Sequence, residues 1–173
     1  MKIMKIMKKT AVILGSDSDL PVAKKCTEIL DRLALPYEVH VISAHRTPVL
    51  AHEFALKARS EDFGVIIAIA GKSAALAGVL AAGTRLPVIG VPVKSDDLGG
   101  MDALLSTAQM PPGVPVACVA IDGGANAAWL AARILAVSDE KLASKLEDEA
   151  AKMSESVIKK DHDIREKYSQ QKL

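Results

Sequence analysis

A chain of 173 residues fits one compact domain, because a single hydrophobic core serves roughly one to two hundred residues. Half of the residues are hydrophobic but only 3% are aromatic, so the core must come from Ala, Val, Ile and Leu, which suits close packing of helices on a sheet. With 22 basic against 21 acidic side chains the formal charge is +1, which creates no field to draw in a polyanion and gives nucleic-acid binding no support.

Residues 1–9 are basic with scattered Ile and Met, and lack the continuous apolar run and cleavage site of a signal peptide; a disordered lead-in is expected. Thr10 to Leu14 reads as a buried parallel strand that stops at Gly15. Leu20 to Leu33 carries apolar residues at helical spacing (Val22, Ala23, Cys26, Ile29, Leu30, Leu33), and Pro36 ends it. The period then changes to two over Tyr37 to Ser43, a strand exposed on part of one face. The pattern repeats with a helix over Pro48 to Arg59, a strand over Gly64 to Ala70, a helix over Ala74 to Gly83 and a strand over Pro87 to Val91. A fifth strand is expected over Val114 to Ile121 after the Pro111-Pro112-Gly113 turn, then an Ala-rich helix to Val137. Such alternation implies right-handed crossovers and an α/β fold, a three-layer αβα sandwich on a five-stranded parallel sheet, spanning residues 10–138.

Ser138, Asp139 and Glu140 combine helix-capping and dipole signals, so a long charged helix is expected over residues 139–173, to about Lys167. Its thin apolar stripe (Leu142, Leu146, Ala150, Met153, Val157, Ile158, Ile164) suits packing on a neighbouring subunit, and a solvated helix on its own domain is the other reading. Cys26 and Cys118 lie too far apart for CxxC chemistry and are expected as buried thiols. No apolar stretch approaches the roughly 20 residues needed to span a bilayer, so a cytoplasmic location is expected.

In open parallel sheets ligands bind beyond the carboxyl ends of the strands, and the polar and glycine-rich segments fall there: Gly15 to Asp19, Ser43 to Pro48, Gly71-Lys72-Ser73, Lys94 to Gly100 and Asp122 to Asn126. Ser16, Ser18 and Ser43, on loops entering helices, can offer hydroxyls and N–H groups to a phosphate. Arg46 can add a bidentate grip, and Asp19 can accept from ribose hydroxyls. Capping of the following helix is the other role open to Ser16, Ser18 and Asp19. His45 sits at a strand end among small polar residues and is a candidate for proton transfer, whereas His40, His52 and His162 suit structural or solvated roles. No HxH, HxxxH or Cys/His cluster occurs, so no metal is expected, and neither GxGxxG nor GxxxxGK[ST] is present.

Taken in order, Gly15-Ser16-Asp17-Ser18-Asp19, Ser43-Ala44-His45-Arg46-Thr47-Pro48 and Gln109-Met110-Pro111-Pro112-Gly113-Val114-Pro115-Val116 resemble the PurE family over about residues 10–138. The resemblance implies a flavodoxin-like domain in a homo-oligomer, an octamer or tetramer, acting in purine biosynthesis on aminoimidazole ribonucleotide and carbon dioxide without a cofactor. It implies that Ser16, Ser18, Asp19, Ser43 and Arg46 hold the ribose phosphate and that His45 moves the proton at the reacting carbon. The loop from Gly71 to Gly78 would lie against the imidazole and carbon dioxide, with Gly71, Ala74 and Leu76 in substrate binding and Lys72 and Ser73 in catalysis, Lys72 helping to attract bicarbonate or polarise carbon dioxide; a surface charge is the other role open to Lys72.

The family has two activities. Class I members shift a carboxylate from the exocyclic nitrogen of N5-carboxyaminoimidazole ribonucleotide to carbon 4, and class II members carboxylate aminoimidazole ribonucleotide directly. Class I loops read GGAAHLPG and class II loops AGRSNALSG; here Ala70 to Gly78 has Ala75 for the class I histidine and Lys72-Ser73 for the class II basic-Ser pair. Ser95-Asp96 is also class II in flavour, whereas Arg46, Val91-Pro92-Val93 and Gln109-Met110-Pro111 follow class I. The loop nearest the reacting carbon weighs most, and class II is the expectation, with the class I mutase as the alternative. A non-enzymatic, flavodoxin-like phosphorylation receiver would need an acceptor Asp where Ala70-Gly71 stand. A PurE-like carboxylase of the nickel-pincer pathway would not be expected to keep the Ser43 to Pro48 motif.

Overall fold

Alternation along each strand sends side chains to two opposite faces, and both faces here are apolar. In β1 (Lys9–Leu14), Val12 and Leu14 face one helical layer while Ala11 and Ile13 face the other. The structure, a computed structural model, describes residues 7–169. Most of the expected lead-in therefore lies outside the described residues, although Met7 packs against the core, Lys8 pairs with Asp62 at 2.7 Å, and Lys9 opens β1.

A one-turn 3-10 segment, Asp17–Asp19, leads into α1 (Leu20–Arg32), followed by β2 (Tyr37–Val41), α2 (Pro48–Lys57), β3 (Phe63–Gly71) and α3 (Leu76–Gly83). Then come β4 (Val88–Val93), α4 (Met101–Ala108), β5 (Ala117–Cys118), α5 (Gly124–Ala136) and α6 (Glu140–Ser169). The strands pair in parallel in the order β2-β1-β3-β4-β5. This is the flavodoxin-like α/β arrangement, with helices on both sides of the sheet. The chain leaves β1 for β2 on one side and then crosses to β3 on the other. That reversal parts the loops after β1 and β3 and opens a crevice at the carboxyl ends of the strands.

The layer of α1 and α5 covers Val12, Val65, Ile67 and Ile89 with Val22, Cys26, Leu30, Ala127, Ala128 and Ala131. On the opposite face Ala51, Ala55, Ala77 and Leu80 cover Ile13, Ile66 and Ala68. Alanine supplies much of the helical contribution, so the helices approach the sheet closely. Gly124 takes this to its limit: a Cβ there would overlap the carbonyl oxygen of Val22, joining the first turn of α5 to α1 backbone against backbone.

The structure departs from the sequence expectations in three places. A helix, α4, occupies Met101–Ala108, a stretch to which the sequence reading assigns no element. The fifth strand shortens from Val114–Ile121 to Ala117–Cys118, because Pro115 lacks an N–H and β5 has a partner on one side only. Pairing nonetheless continues through single bonds from Val119 N–H to Gly90 O (3.0 Å) and Asp122 N–H to Pro92 O (2.9 Å). Cys118 is half-buried on this short edge strand rather than buried.

Asp139 caps α6, its Oδ1 accepting from Leu142 N–H at 3.1 Å. Leu142 and Leu146 pack against the core, and the buried Glu149 carboxylate meets Arg32 of α1 and, at 2.7 Å, Lys152. From Ala150 to Ser169 every residue is exposed.

Candidate active site

At the end of β1, Ser16 has an extended backbone and turns the chain into the 3-10 segment. Its Oγ accepts from Ser18 N–H at 3.4 Å, and its own N–H donates to Asp19 Oδ2 at 3.0 Å, a reciprocal cap. Ser16 and Asp19 thus cap the 3-10 segment, whereas Asp19, at the N-cap of α1, makes no side-chain cap bond to that helix. Burial pushes the Asp19 carboxyl above its ordinary range, against the pull of the Ser16 and Gly15 N–H groups.

At the end of β2, Ser43 N–H donates to Thr47 Oγ1 at 3.0 Å, and that hydroxyl donates back to Ser43 O at 3.0 Å, closing a tight turn before Pro48. Ser43 Oγ accepts from Arg46 N–H at 3.1 Å and from Arg46 Nε at 3.4 Å, while Arg46 Nη2 donates to Gly15 O at 3.3 Å. The guanidinium is thereby tied across the ends of β1 and β2, beside the serine loop. His45 is exposed, and its ring has no hydrogen-bond partner among the described residues.

Gly71 and Val93 form the last register pair of β3 and β4. Beyond them Lys72 adopts φ +54°, in the left-handed region, and its Nζ lies 2.5 Å from Asp97 Oδ2. Two tight turns follow, from Ala74 N–H to Lys72 O (2.8 Å) and from Ala75 N–H to Ser73 O (2.7 Å), and they set the start of α3 at Leu76. The side chains of Ala74 and Leu76 are buried, so these positions shape the loop from beneath.

These segments enclose a cleft of about 760 Å³. Ser16, Ser18 and Asp19 line it from β1, Ser43, His45 and Arg46 from β2, and Gly71, Lys72, Ser73, Ala74 and Leu76 from β3. All of the expected site residues therefore converge on one cavity. Lys94 and Ser95 also line it and were not among them, although their position directly after β4 was the available signal. The loop after β5 stays out of the lining. Asp122, at φ +55°, instead accepts from Lys94 N–H at 2.9 Å and buttresses the loop after β4.

Elsewhere, His40 lies 3.3 Å from Glu38 and meets the Phe54 ring at a tilt of 53°, while His52 and His162 sit exposed on α2 and α6. Burial pushes the Cys26 thiol up to about 12, making it inert. Among the described residues no cluster of His, Cys, Asp or Glu is arranged to hold a metal ion, and no helix is long and apolar enough to cross a membrane.

Comparison with known proteins bears on what this cleft accepts. A family model described as AIR carboxylase matches residues 9–156. The chain is 54% identical over 140 residues to a Pyrococcus abyssi protein named N5-carboxyaminoimidazole ribonucleotide mutase, covering 81% of this chain and 80% of that one. It is 46% identical over 147 residues to the chloroplastic phosphoribosylaminoimidazole carboxylase of Vigna aconitifolia, covering 85% of this chain but 26% of that longer protein. Among solved structures, Treponema denticola PurE superposes with a TM-score of 0.82 at 28% identity, covering 89% of this chain and 96% of that one.

Proposed function

This chain belongs to the AIR carboxylase family of purine biosynthesis, and from that premise we propose that it converts N5-carboxyaminoimidazole ribonucleotide to 4-carboxy-5-aminoimidazole ribonucleotide. The observation that carries the proposal is the joining, in one cleft, of an anion grip (Arg46 with the Ser16, Ser18 and Ser43 loops) to an imidazole, His45, that has no hydrogen-bond partner among the described residues. The high identity to a protein named as the mutase supports this reaction over direct carboxylation.

Proton accounting explains why one histidine suffices. Cleavage of the N–C bond of the carbamate releases carbon dioxide and requires a proton on the exocyclic nitrogen. Carbon 4, made nucleophilic by the enamine, then attacks the retained carbon dioxide, and the tetrahedral carbon must lose a proton to restore the aromatic ring. His45 supplies the first proton and takes the second, so the cycle closes with no net proton and no cofactor. Holding carbon dioxide beside carbon 4 is a matter of proximity, and the loop from Gly71 to Ala75 forms that wall.

A second reading, direct carboxylation of aminoimidazole ribonucleotide, is favoured by one local feature: Lys72-Ser73 with Ala75 in place of the histidine of mutase loops. Supplying purified protein with the carbamate, or with aminoimidazole ribonucleotide plus bicarbonate, separates the two. Product from the carbamate at a rate indifferent to bicarbonate supports the mutase. Product only from the second mixture, at a rate set by dissolved carbon dioxide, establishes the carboxylase, and no product from either refutes both.

The outer half of α6, with Met153, Val157, Ile158 and Ile164 exposed, is the proposed contact with a further copy of the chain. Light scattering of the full chain against one ending at Glu149 tests this; equal masses would refute it.

A further inference from the structure

The geometry points to a second, self-masked pole in the cleft: Lys72 is the counter-ion for the carboxylate of the carboxylated ribonucleotide, and Asp97 competes for it. The inference rests on the reading above, in which the bound ligand carries a phosphate at one end and a carboxylate on its imidazole.

Arg46 provides the first pole, tied to Gly15 O and Ser43 Oγ at the ends of β1 and β2. The second lies across the cleft. Because Gly71 pairs with Val93, Lys72 and Lys94 are the first residues beyond two adjacent strands, and both line the cavity. The Lys72 ammonium is not idle at rest. It sits 2.5 Å from Asp97 Oδ2, with Asp96 and Asp102 adding to the attraction. Asp97 itself is outside the lining, so the pair draws Lys72 toward the rim.

Two features make this pair exchangeable. Its side chains are 71% and 63% exposed, so solvent weakens the attraction. Among the described residues, Ser95 Oγ in the loop carrying Asp97 and Asp102 Oδ1 in the first turn of α4 that ends this loop are buried without hydrogen-bond partners. An unsatisfied buried polar atom is costly, so this loop has bonds to gain from a different arrangement once Lys72 turns inward. An incoming carboxylate therefore replaces Asp97 rather than meeting a bare cation, whereas aminoimidazole ribonucleotide, lacking that group, leaves the pair closed. The cleft thereby distinguishes the ribonucleotides by the carboxylate alone.

The test is calorimetric titration of aminoimidazole ribonucleotide and of its 4-carboxylated form, with the ratio of the two affinities as the readout. Asp97→Asn, isosteric and exposed, should tighten the carboxylated ligand by roughly two- to fivefold, the range an exposed ion pair allows, with the unmodified ribonucleotide unmoved. The double variant Asp96→Asn with Asp97→Asn should do the same if Asp96 takes over in the single one. Lys72→Met should weaken only the carboxylated ligand, and adding Asp97→Asn to it should have no further effect. A ratio unchanged in all variants, or both ligands shifting together, would overturn the inference while leaving the ribonucleotide site intact. Failure of the wild-type protein to bind either ligand would overturn the underlying reading as well.

Discussion

Replacing Gly124 by alanine tests the close approach of α1 and α5 on which the serine loop is mounted. The added Cβ would overlap Val22 O and come within 3.2 Å of Val22 C and 3.3 Å of Val22 Cγ1. Two of these neighbours are backbone atoms, so no rotamer change relieves them and α5 must draw back from α1. Overpacking of this kind costs about 1–3 kcal/mol. The alanine returns up to about 1 kcal/mol of helix propensity, less at a first helical position. A net loss of about 1–2 kcal/mol lowers Tm by roughly 2–8 °C for a chain of this size. Gly78 in α3 is the control. There the nearest atoms are Cε and Sδ of Met110, both at 3.1 Å, the pliable end of a side chain that re-packs easily. Gly78→Ala should leave Tm unchanged or raise it. Thermal unfolding of the three proteins by circular dichroism decides the matter. A Gly124→Ala protein as stable as wild type, or a Gly78→Ala protein that falls equally far, would refute the claim that backbone contact sets this spacing.

Other substitutions address the cleft. His45→Asn should bind the carbamate with near wild-type affinity yet lose at least about a hundredfold in turnover; unaltered turnover would remove His45 from the proton cycle. Arg46→Ala should raise KM by roughly 10- to 150-fold, the loss of one charge-assisted contact, with phosphate-free nucleoside as the insensitive control. For Asp19 the raised carboxyl fixes the sign of a pH effect. Its contribution to stability is fully present below the ordinary value of 3.8 and is lost as pH rises through the folded one. Asp19→Asn should therefore gain in Tm relative to wild type as pH climbs from about 3 to about 7; a gap that closes over that range would contradict the burial argument.

The strand ends were the most legible part of this chain. Gly15, the Ser43-Ala44-His45-Arg46 run and Gly71-Lys72-Ser73 each interrupt an apolar run with residues that only a loop accommodates, so the cleft could be assembled from punctuation alone. Helix α4 escaped because its eight residues follow Gly99-Gly100, which reads as continuing loop, and are too few for a clear period. The fifth strand was overdrawn because apolar character persists through Val114 and Val116 although Pro115 forbids a regular ladder. The pairing of Lys72 with Asp97 joins residues 25 apart in sequence, and nothing in either segment alone announces the other. It follows from the adjacency of β3 and β4, a property of topology rather than of pattern.

The length of α6 has a consequence of its own. At about 1.5 Å per residue, its 30 residues form a rod of roughly 45 Å, whose buried contacts, Leu142 and Glu149, end at Glu149. Beyond Glu149 every described residue is exposed, although Met153 still borders a pocket with Asn126, Trp129, Leu130 and Arg133 of α5, and a segment of some twenty exposed residues is marginal as a helix in water. The clamp of Arg32 and Lys152 on Glu149 thus marks a boundary between two regimes of backbone exchange within one continuous helix. Amides before it are expected to trade hydrogen for deuterium at the pace of the domain, and amides after it at a pace set by whatever surface the rod meets.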